Sequence, residues 1–520
     1  MRDDTKQQEN ILSGLKRGET VLELRGITKK FPGVIANDHI DFDIKAGEIH
    51  AILGENGAGK TTLMNIIYGL LQPDEGEIYI RGKKVQINSP LDSIALGIGM
   101  VHQHLKVIPA LTAIENILLG YPKLGRILDI NKAKKEVSEL CKKYGFKVDL
   151  DAKLWQLSAG EQQTVEIIRA LYQGAKLLIL DEPTSVLTPP ETVKLLKSLK
   201  AMAKNELAVI PFITHKLPVV LEISDRVTVL RNGKVVGRLK TKDATEKILA
   251  KKMVGREVVF RIKRSSVKIG KTILEVKGLF ALNDRGAPAL NGVSFSIHEG
   301  EIFSVIGVTG NGQQELAEVL MGLRKPTGGS IIFQGENVTN YSIKKRWDKG
   351  IGYVPSDRVG VGSAGELSLV KNIAMDLYHD SEFVSRGIID YKKIKKYSEK
   401  LISDFNVKAP SVTTLASHLS GGNLQKLILA RVISRRPKLL IADLPTHGLD
   451  VGATEFVQNK LLDLKKDKVA VLLISEDLDE ALSLGDKIAP IYEGKFMDIL
   501  SKKNASKEKV GALMAGVRRG

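Results

Sequence analysis

Two kinds of apolar pattern alternate along this chain. Stretches such as EIHAILG (residues 48–54) and AKLLILD (175–181) are apolar without alternation, as strands covered on both faces of a parallel sheet are. Runs with helical spacing follow them, KTTLMNIIYGLL (60–71) after the first and PPETVKLLKSLKAMAK (189–204) after the second. Strand and helix in alternation predict an α/β fold with a mainly parallel sheet.

The pattern is written twice. VLELRGITKKF at Val21 resembles ILEVKGLF at Ile273, and GEIHAILGENGAGK at Gly47 matches GEIFSVIGVTGNGQ at Gly300. GLLQPDEGEIYIRG at Gly69 matches GLRKPTGGSIIFQG at Gly322, and GIGMVHQH at Gly97 matches GIGYVPSD at Gly350. The spacing then lengthens slightly, and LSAGEQQ at Leu157 meets LSGGNLQK at Leu419. A repeat a whole domain long is a duplicated domain, not a solenoid. The first copy is expected at 21–255 and the second at 273–520. A basic linker at 256–272 joins them, and residues 1–20 stand as an N-terminal tail.

Length and composition fit this reading. A chain of 520 residues is too long for one ordinary core. Its apolar runs, such as Val469 to Ile474, fall well short of the about 20 residues that a membrane helix needs. The N-terminus has no apolar signal region, so a cytoplasmic location is expected. The single cysteine, Cys141, excludes a disulfide framework and cysteine-rich metal sites. The balance of 78 Lys+Arg against 60 Asp+Glu gives +18, but the charge is scattered with no basic-aromatic cluster. Ordinary solubility explains it better than nucleic-acid binding.

The chemistry concentrates at the ends of the predicted strands. Gly54, Glu55, Asn56, Gly57, Ala58, Gly59, Lys60, Thr61 and Thr62 form a G-x-x-x-x-G-K-[ST] loop between a buried strand and a helix. Glycines let backbone N–H groups curl around phosphates, and the helix N-terminus adds positive potential. Lys60 is expected at the terminal phosphates and Thr61 on magnesium. Asp181 ends the strand LLILD as a magnesium anchor, and Glu182 follows it, placed to polarise an attacking water.

With LSAGEQQ added, the order P-loop, VHQH, LSAGEQQ, LDEPT, ITH resembles the ATP-binding cassette (ABC) family, twice over. The resemblance implies tandem P-loop NTPase domains, each a mainly parallel sheet with a helical subdomain. It implies ATP and Mg2+ as ligands, Gln103 as the glutamine that touches magnesium and senses a membrane partner, and His215 as the histidine at the γ-phosphate. Phe31 would stack on adenine. Cassettes of this family pair head to tail, so the first P-loop, Gln103, Asp181, Glu182 and His215 would share one ATP with Ser420, Gly421, Gly422 and Asp450 of the second copy.

The reciprocal site has lost several parts together. Gln313 stands for the lysine, Gln314 for Thr/Ser, Leu444 for the glutamate after Asp443, Ser356 for the glutamine and Glu476 for the histidine. The signature residues facing it would be Ser158 and Gly160, with Thr188 in place of the D-loop aspartate. The set implies a site that hydrolyses ATP poorly or not at all.

KKFPGV, LTAIENILLG, LSGGNLQK and LPTHGLDVGA resemble the sugar-type importer group, whose ATPases carry two fused cassettes. GMVHQH, Gln313 and the lost glutamate are most like its nucleoside-type members, whereas Asp443 departs from the glutamine usual there. The implied protein is the ATPase of a bacterial importer, on the cytoplasmic face of the membrane. It would bind two transmembrane permease subunits, probed near Gln103 and Ser356, with one chain per transporter. A solute-binding protein outside the membrane would deliver nucleosides or simple sugars, and no nucleic acid is expected. The alternatives are a ribose/galactose-type importer ATPase and a twin-cassette factor acting on the ribosome. The latter class usually has a long charged linker and two intact sites. A DNA-repair-type twin ATPase would need a cysteine zinc module, which one cysteine cannot build.

Overall fold

The computed structural model describes residues 12, 14–102, 105–120, 129–183, 187, 189–204, 208–212, 217–257, 267–378, 380–385 and 387–517. Gln103, His215 and Thr188 lie outside the described residues. The chain forms two compact units, Met1–Val258 and Val259–Gly520.

In the first unit an antiparallel sheet sets Thr20–Phe31 between Val34–Lys45 and Glu75–Ile80, with Lys83–Val85 at the edge. The other sheet is parallel where the apolar runs predicted it. Ile98–Val101, Leu177–Asp181 and Ala208–Phe212 pair in that order. A parallel bridge from Ile49 to Val209 joins them to His50–Leu53, which pairs with Arg226–Arg231. Leu177–Asp181 is buried throughout because its two faces meet different cores. Leu177 and Ile179 pack with the antiparallel layer, whereas Leu178 and Leu180 pack with the helices. A strand covered on both sides has no polar face to show, hence the unbroken apolar run.

The second unit repeats this with one continuous sheet. Ile351–Val354, Leu439–Asp443, Ala470–Ser475, Ile302–Ile306 and Lys487–Tyr492 are parallel neighbours in that order. Leu439 and Ile441 face one core, and Leu440 and Ala442 the other. In each unit the strand that precedes the glycine-rich loop lies inside the sheet. Helices Ala113–Leu118, Ile130–Tyr144 and Ala159–Tyr172 form the helical part of the first unit; Leu369–Ala374, Tyr391–Asp404 and Gly421–Ser434 form that of the second. Cys141 is buried in the former, and burial raises its thiol pKa, as befits a packing residue. No helix of the described residues is long and apolar enough to cross a membrane.

Two features were not visible in the pattern. Residues 1–20 are not all tail: Leu12 and Leu15 are buried in the first core, and Gly18 N and Ala46 N bond to Ala46 O and Glu19 O respectively. Two leucines in a polar segment have no periodicity to announce them. The second is Arg346, which is 1 % exposed. Its guanidinium donates to Val319 O and Leu320 O at the end of helix Gln313–Met321, both at 2.7 Å, and also to Thr339 O and Tyr341 O. Burial lowers its pKa to about 10. Helix-terminal carbonyls and their partial negative charge take the place of a carboxylate. Arg346→Met should therefore destabilise the protein by about 3 kcal/mol in urea unfolding, because buried carbonyls lose their donors. A loss below about 1 kcal/mol would mean that those carbonyls find other partners.

Candidate functional site

The first glycine-rich loop runs from the strand His50–Leu53 to the helix Lys60–Ile67. Gly59 has φ 95°, and a Cβ there would stand 2.1 Å from Ala36 O. Only glycine permits both the left-handed backbone and this approach of the hairpin strand Val34–Lys45. Asn37 Nδ2 donates to Gly59 O at 3.0 Å and locks the two together. The other strand of that hairpin ends in Phe31, which is 40 % exposed and has Lys29 Nζ 5.9 Å from its ring centroid.

Lys60 is buried, and its Nζ donates to Gly54 O and Glu55 O, each at 2.7 Å. Thr61 is exposed on the first helical turn. Asp181 ends its strand with a carboxyl pushed up to about 6, chiefly by burial, then by the charge of Glu182, with Lys60 opposing. Its Oδ1 is buried without a hydrogen-bond partner among the described residues. A buried carboxylate oxygen lacking a donor is costly, and a divalent cation with oxygen preference would relieve it. The residues present therefore fit magnesium. Glu182 has φ 46°, a left-handed backbone that costs a non-glycine residue roughly 1–2 kcal/mol.

The second loop keeps the backbone and changes the electrostatics. Gly312 has φ 101°, and a Cβ there would stand 2.4 Å from Ala289 O. Leu444 holds φ 44°, the conformation of Glu182 without its carboxylate. Gln313 fastens to its own loop: Nε2 donates to Val308 O and Oε1 accepts from Asn311 N, both at 3.1 Å. Glu476 Oε1 accepts from Thr309 Oγ1 at 2.6 Å, and Gln314 Nε2 donates to Glu318 Oε1 at 2.8 Å. Asp443 is also pushed up to about 6 by burial, with hydrogen bonds from Ser356 opposing. Its Oδ2 accepts from Ser356 Oγ at 2.8 Å and Tyr353 OH at 3.4 Å. Neutral hydroxyls thus satisfy the second carboxylate where the first is faced by an ammonium. Glu476 reaches the loop as a further anion, hostile to a triphosphate.

The two signature turns also differ. Ser158 caps helix Ala159–Tyr172 in a reciprocal box with Glu161: its Oγ accepts from Glu161 N at 3.3 Å and its N–H donates to Glu161 Oε2 at 2.9 Å. Gly160 is flanked by Glu191, whose Oε1 would lie 2.7 Å from a Cβ there. Ser420 caps Gly421–Ser434 with neutral Asn423, whose Nδ2 donates to Ser420 Oγ at 2.9 Å. A carboxylate at a helix N-terminus fills the potential that would attract a phosphate; an amide leaves it open. Beside this second turn stands Asp450, whose Oδ2 would lie 3.8 Å from a Cβ at Gly422 and whose Oδ1 accepts from Ala453 N at 2.7 Å. The fold thus brings Ser420, Gly421, Gly422 and Asp450 together within the second unit.

The contrast between Glu161 and Asn423 stands in the repeat, as does the counterpart of Phe31. Asp74 N donates to Thr28 O as Thr327 N does to Phe280 O, both at 2.8 Å, which places Asn283 where the first copy has Phe31. Asn283 instead closes a turn, its Oδ1 accepting from Arg285 N and Ala287 N. The second copy has no aromatic ring at that position.

The family model described as ABC transporter matches residues 37–185 and 290–447. The chain is 44% identical to the glucose import ATP-binding protein TsgD13 of Haloferax volcanii, covering 96% of each. It is 43% identical to the nucleoside import ATP-binding protein NupA of Lactococcus lactis, over 96% of this chain and 98% of the relative. Identity is 36% to the ribose import ATP-binding protein RbsA of Caldanaerobacter subterraneus, over 95% and 98%. Among solved structures, an archaeal ribosome recycling factor, aABCE1, in complex with the ribosomal stalk protein aP1, superimposes with a TM-score of 0.55 at 19% identity. That likeness covers 91% of this chain and 88% of the other, and shows the fold alone.

Calorimetric titration of the full chain with magnesium–ATP should show one site per chain. Lys60→Ala should weaken it at least about tenfold, or 1.4 kcal/mol. Gln313→Ala should leave it unchanged. Two equal sites would contradict the reading that Gln313 and Glu476 disable the second loop.

Proposed function

The chain belongs to the ABC transporter family, and on that premise we propose that it is the ATP-hydrolysing subunit of an importer for nucleosides or simple sugars. Its partners are membrane permease subunits, which hold it at the cytoplasmic face, and a solute-binding protein supplies the substrate. Relatives at 43–44% identity over nearly the whole chain are import proteins, one for glucose and one for nucleosides. The ribose-type relative is more distant, at 36%. Nucleosides and simple sugars therefore stand together as the substrate classes. The ribosomal alternative has only a shared fold behind it.

One observation carries the division of labour: Lys60 and the undersatisfied Asp181 in the first loop, against Gln313, Glu476 and hydroxyl-bonded Asp443 in the second. On this reading the first P-loop, Gly54 to Thr62, wraps the phosphates of ATP. Lys60 exchanges two carbonyl partners for phosphate oxygens, which carry full charge and hold it more strongly. Thr61, Asp181 and Gln103 would hold magnesium, directly or through water. The ion would neutralise charge developing on the phosphates. Glu182 takes up proton density from the attacking water, and His215 steadies the γ-phosphate. Phe31 stacks on the adenine. Following the family's pattern, Ser420, Gly421, Gly422 and Asp450 complete this site. Ser158 and Gly160 would serve the degenerate one at Gln313, Gln314, Asp443, Leu444 and Glu476. The domain limits that go with this reading are 21–255, with Leu12 and Leu15 packed into the same core, and 273–520, with 256–272 as linker.

Loss of the base should be decisive. Glu182→Gln is expected to lower steady-state ATP turnover by about 10²–10⁴-fold, and activity near the wild-type rate would refute the single-site assignment. Leu444→Glu alone should bring no gain, since Gln313 and Glu476 remain; a clear rise in turnover would show that only one part of the second site was missing. Uptake by cells carrying this chain with its permease and binding-protein genes should be competed by unlabelled nucleosides or hexoses and not by amino acids.

A further inference from the structure

One arginine of the second copy has no role in the scheme above. Val101 pairs with Leu180 as Val354 pairs with Ala442, so Arg358 stands where the first copy has Leu105. Its guanidinium joins three pieces of the second unit. Nε donates at 2.8 Å to Oε1 of Gln425, which is fully buried on helix Gly421–Ser434. Nη2 donates to the carbonyl of His447, in the turn that leads to Asp450. Nη1 lies 3.7 Å from where a Cβ on Gly421 would stand. Burial lowers the pKa of Arg358, and its guanidinium donates to the neutral oxygens of Gln425 and His447.

The loop that Arg358 roots is itself tightly built. Asp357 Oδ1 accepts the N–H groups of Val359 and Gly360, at 3.1 and 2.8 Å. Arg431 Nη2, from the signature helix, donates to Gly362 O at 3.0 Å. The tip shows apolar side chains to solvent: Val359 is 69 % and Val361 55 % exposed. The first copy has the outer tie, Arg169 Nη1 to Lys106 O at 2.9 Å, but its leucine at 105 can donate nothing. The arginine tie therefore belongs to the copy whose own loop carries Gln313 in place of lysine, and it grips the two elements that copy would lend elsewhere.

We propose that Arg358 is a positioning residue that couples the loop 356–362 to the signature turn at Ser420–Gly422 and to the D-loop at Asp450, setting their geometry for the ATP held by the first P-loop. This rests on the reading that the second copy's signature completes the competent site. A rigid planar fork with two fixed partners moves as one piece, so a displacement of the loop reaches Gln425 and His447 together.

The test is a double-mutant cycle on the steady-state ATPase of the full-length chain. Arg358→Leu should lower kcat by roughly ten- to a hundred-fold, as misplacement of a positioning element does. KM for ATP should stay within about twofold, because the P-loop is untouched. Arg358→Lys should recover little of the loss, since an ammonium cannot reproduce the fork; if the leucine variant does not fold, the lysine variant takes its place. In a slow but measurable Ser420→Ala background, the Arg358 substitution should cost less than about twofold more. Losses that multiply across the cycle, or an unchanged kcat in Arg358→Leu while Ser420→Ala is slow, would overturn the proposal alone. Wild-type turnover in Ser420→Ala would overturn the reading of the composite site and the proposal with it.

Discussion

A buried carboxylate at the end of an inner strand needs something to face it, and that need governs both halves of this protein. Asp181 and Asp443 occupy the same place, and burial raises both to about 6. Asp181 is faced by Lys60 and keeps one oxygen without a donor among the described residues. Asp443 is satisfied by the hydroxyls of Ser356 and Tyr353. A site tuned to receive a cation and anionic phosphates is undersatisfied without them; a site satisfied by its own side chains has no such need.

The backbone of the two loops changed far less than their side chains. Left-handed φ values persist at Gly59 and Gly312, and at Glu182 and Leu444. Leu444 bears the strain of that conformation with no carboxylate to place. The surrounding sheet fixes the strand end: Leu444 N still donates to Ile474 O at 3.0 Å. Chemistry can be removed from such a scaffold by changing side chains, while the scaffold goes on holding helices such as Gly421–Ser434 in place.

Much of the candidate site was legible. The G-x-x-x-x-G-K-[ST] loop, the strand-end Asp181 and Glu182, and the substitutions Gln313, Leu444 and Glu476 are adjacent in sequence to strong strand and helix patterns. The duplication made each substitution visible as a mismatch within one chain. Glu161 against Asn423 and Phe31 against Asn283 were equally present in the letters. Their meaning depends on a cap geometry and a strand register that a repeat with shifting spacing does not display.

By itself, the sequence determined the α/β architecture, its duplication and the replacement of lysine, glutamate and histidine by Gln313, Leu444 and Glu476 in one copy. Those follow from period, order and charge, which are local and additive. The tertiary structure decided where the lost groups' places went. It turned Gln313 inward onto its own loop, set Glu476 on Thr309, buried Leu12 and Leu15, and gave Arg346 and Arg358 carbonyl and amide partners from elements distant in the chain. A side chain's partner is whichever group the packed chain brings within about 3 Å, and no periodicity encodes that distance.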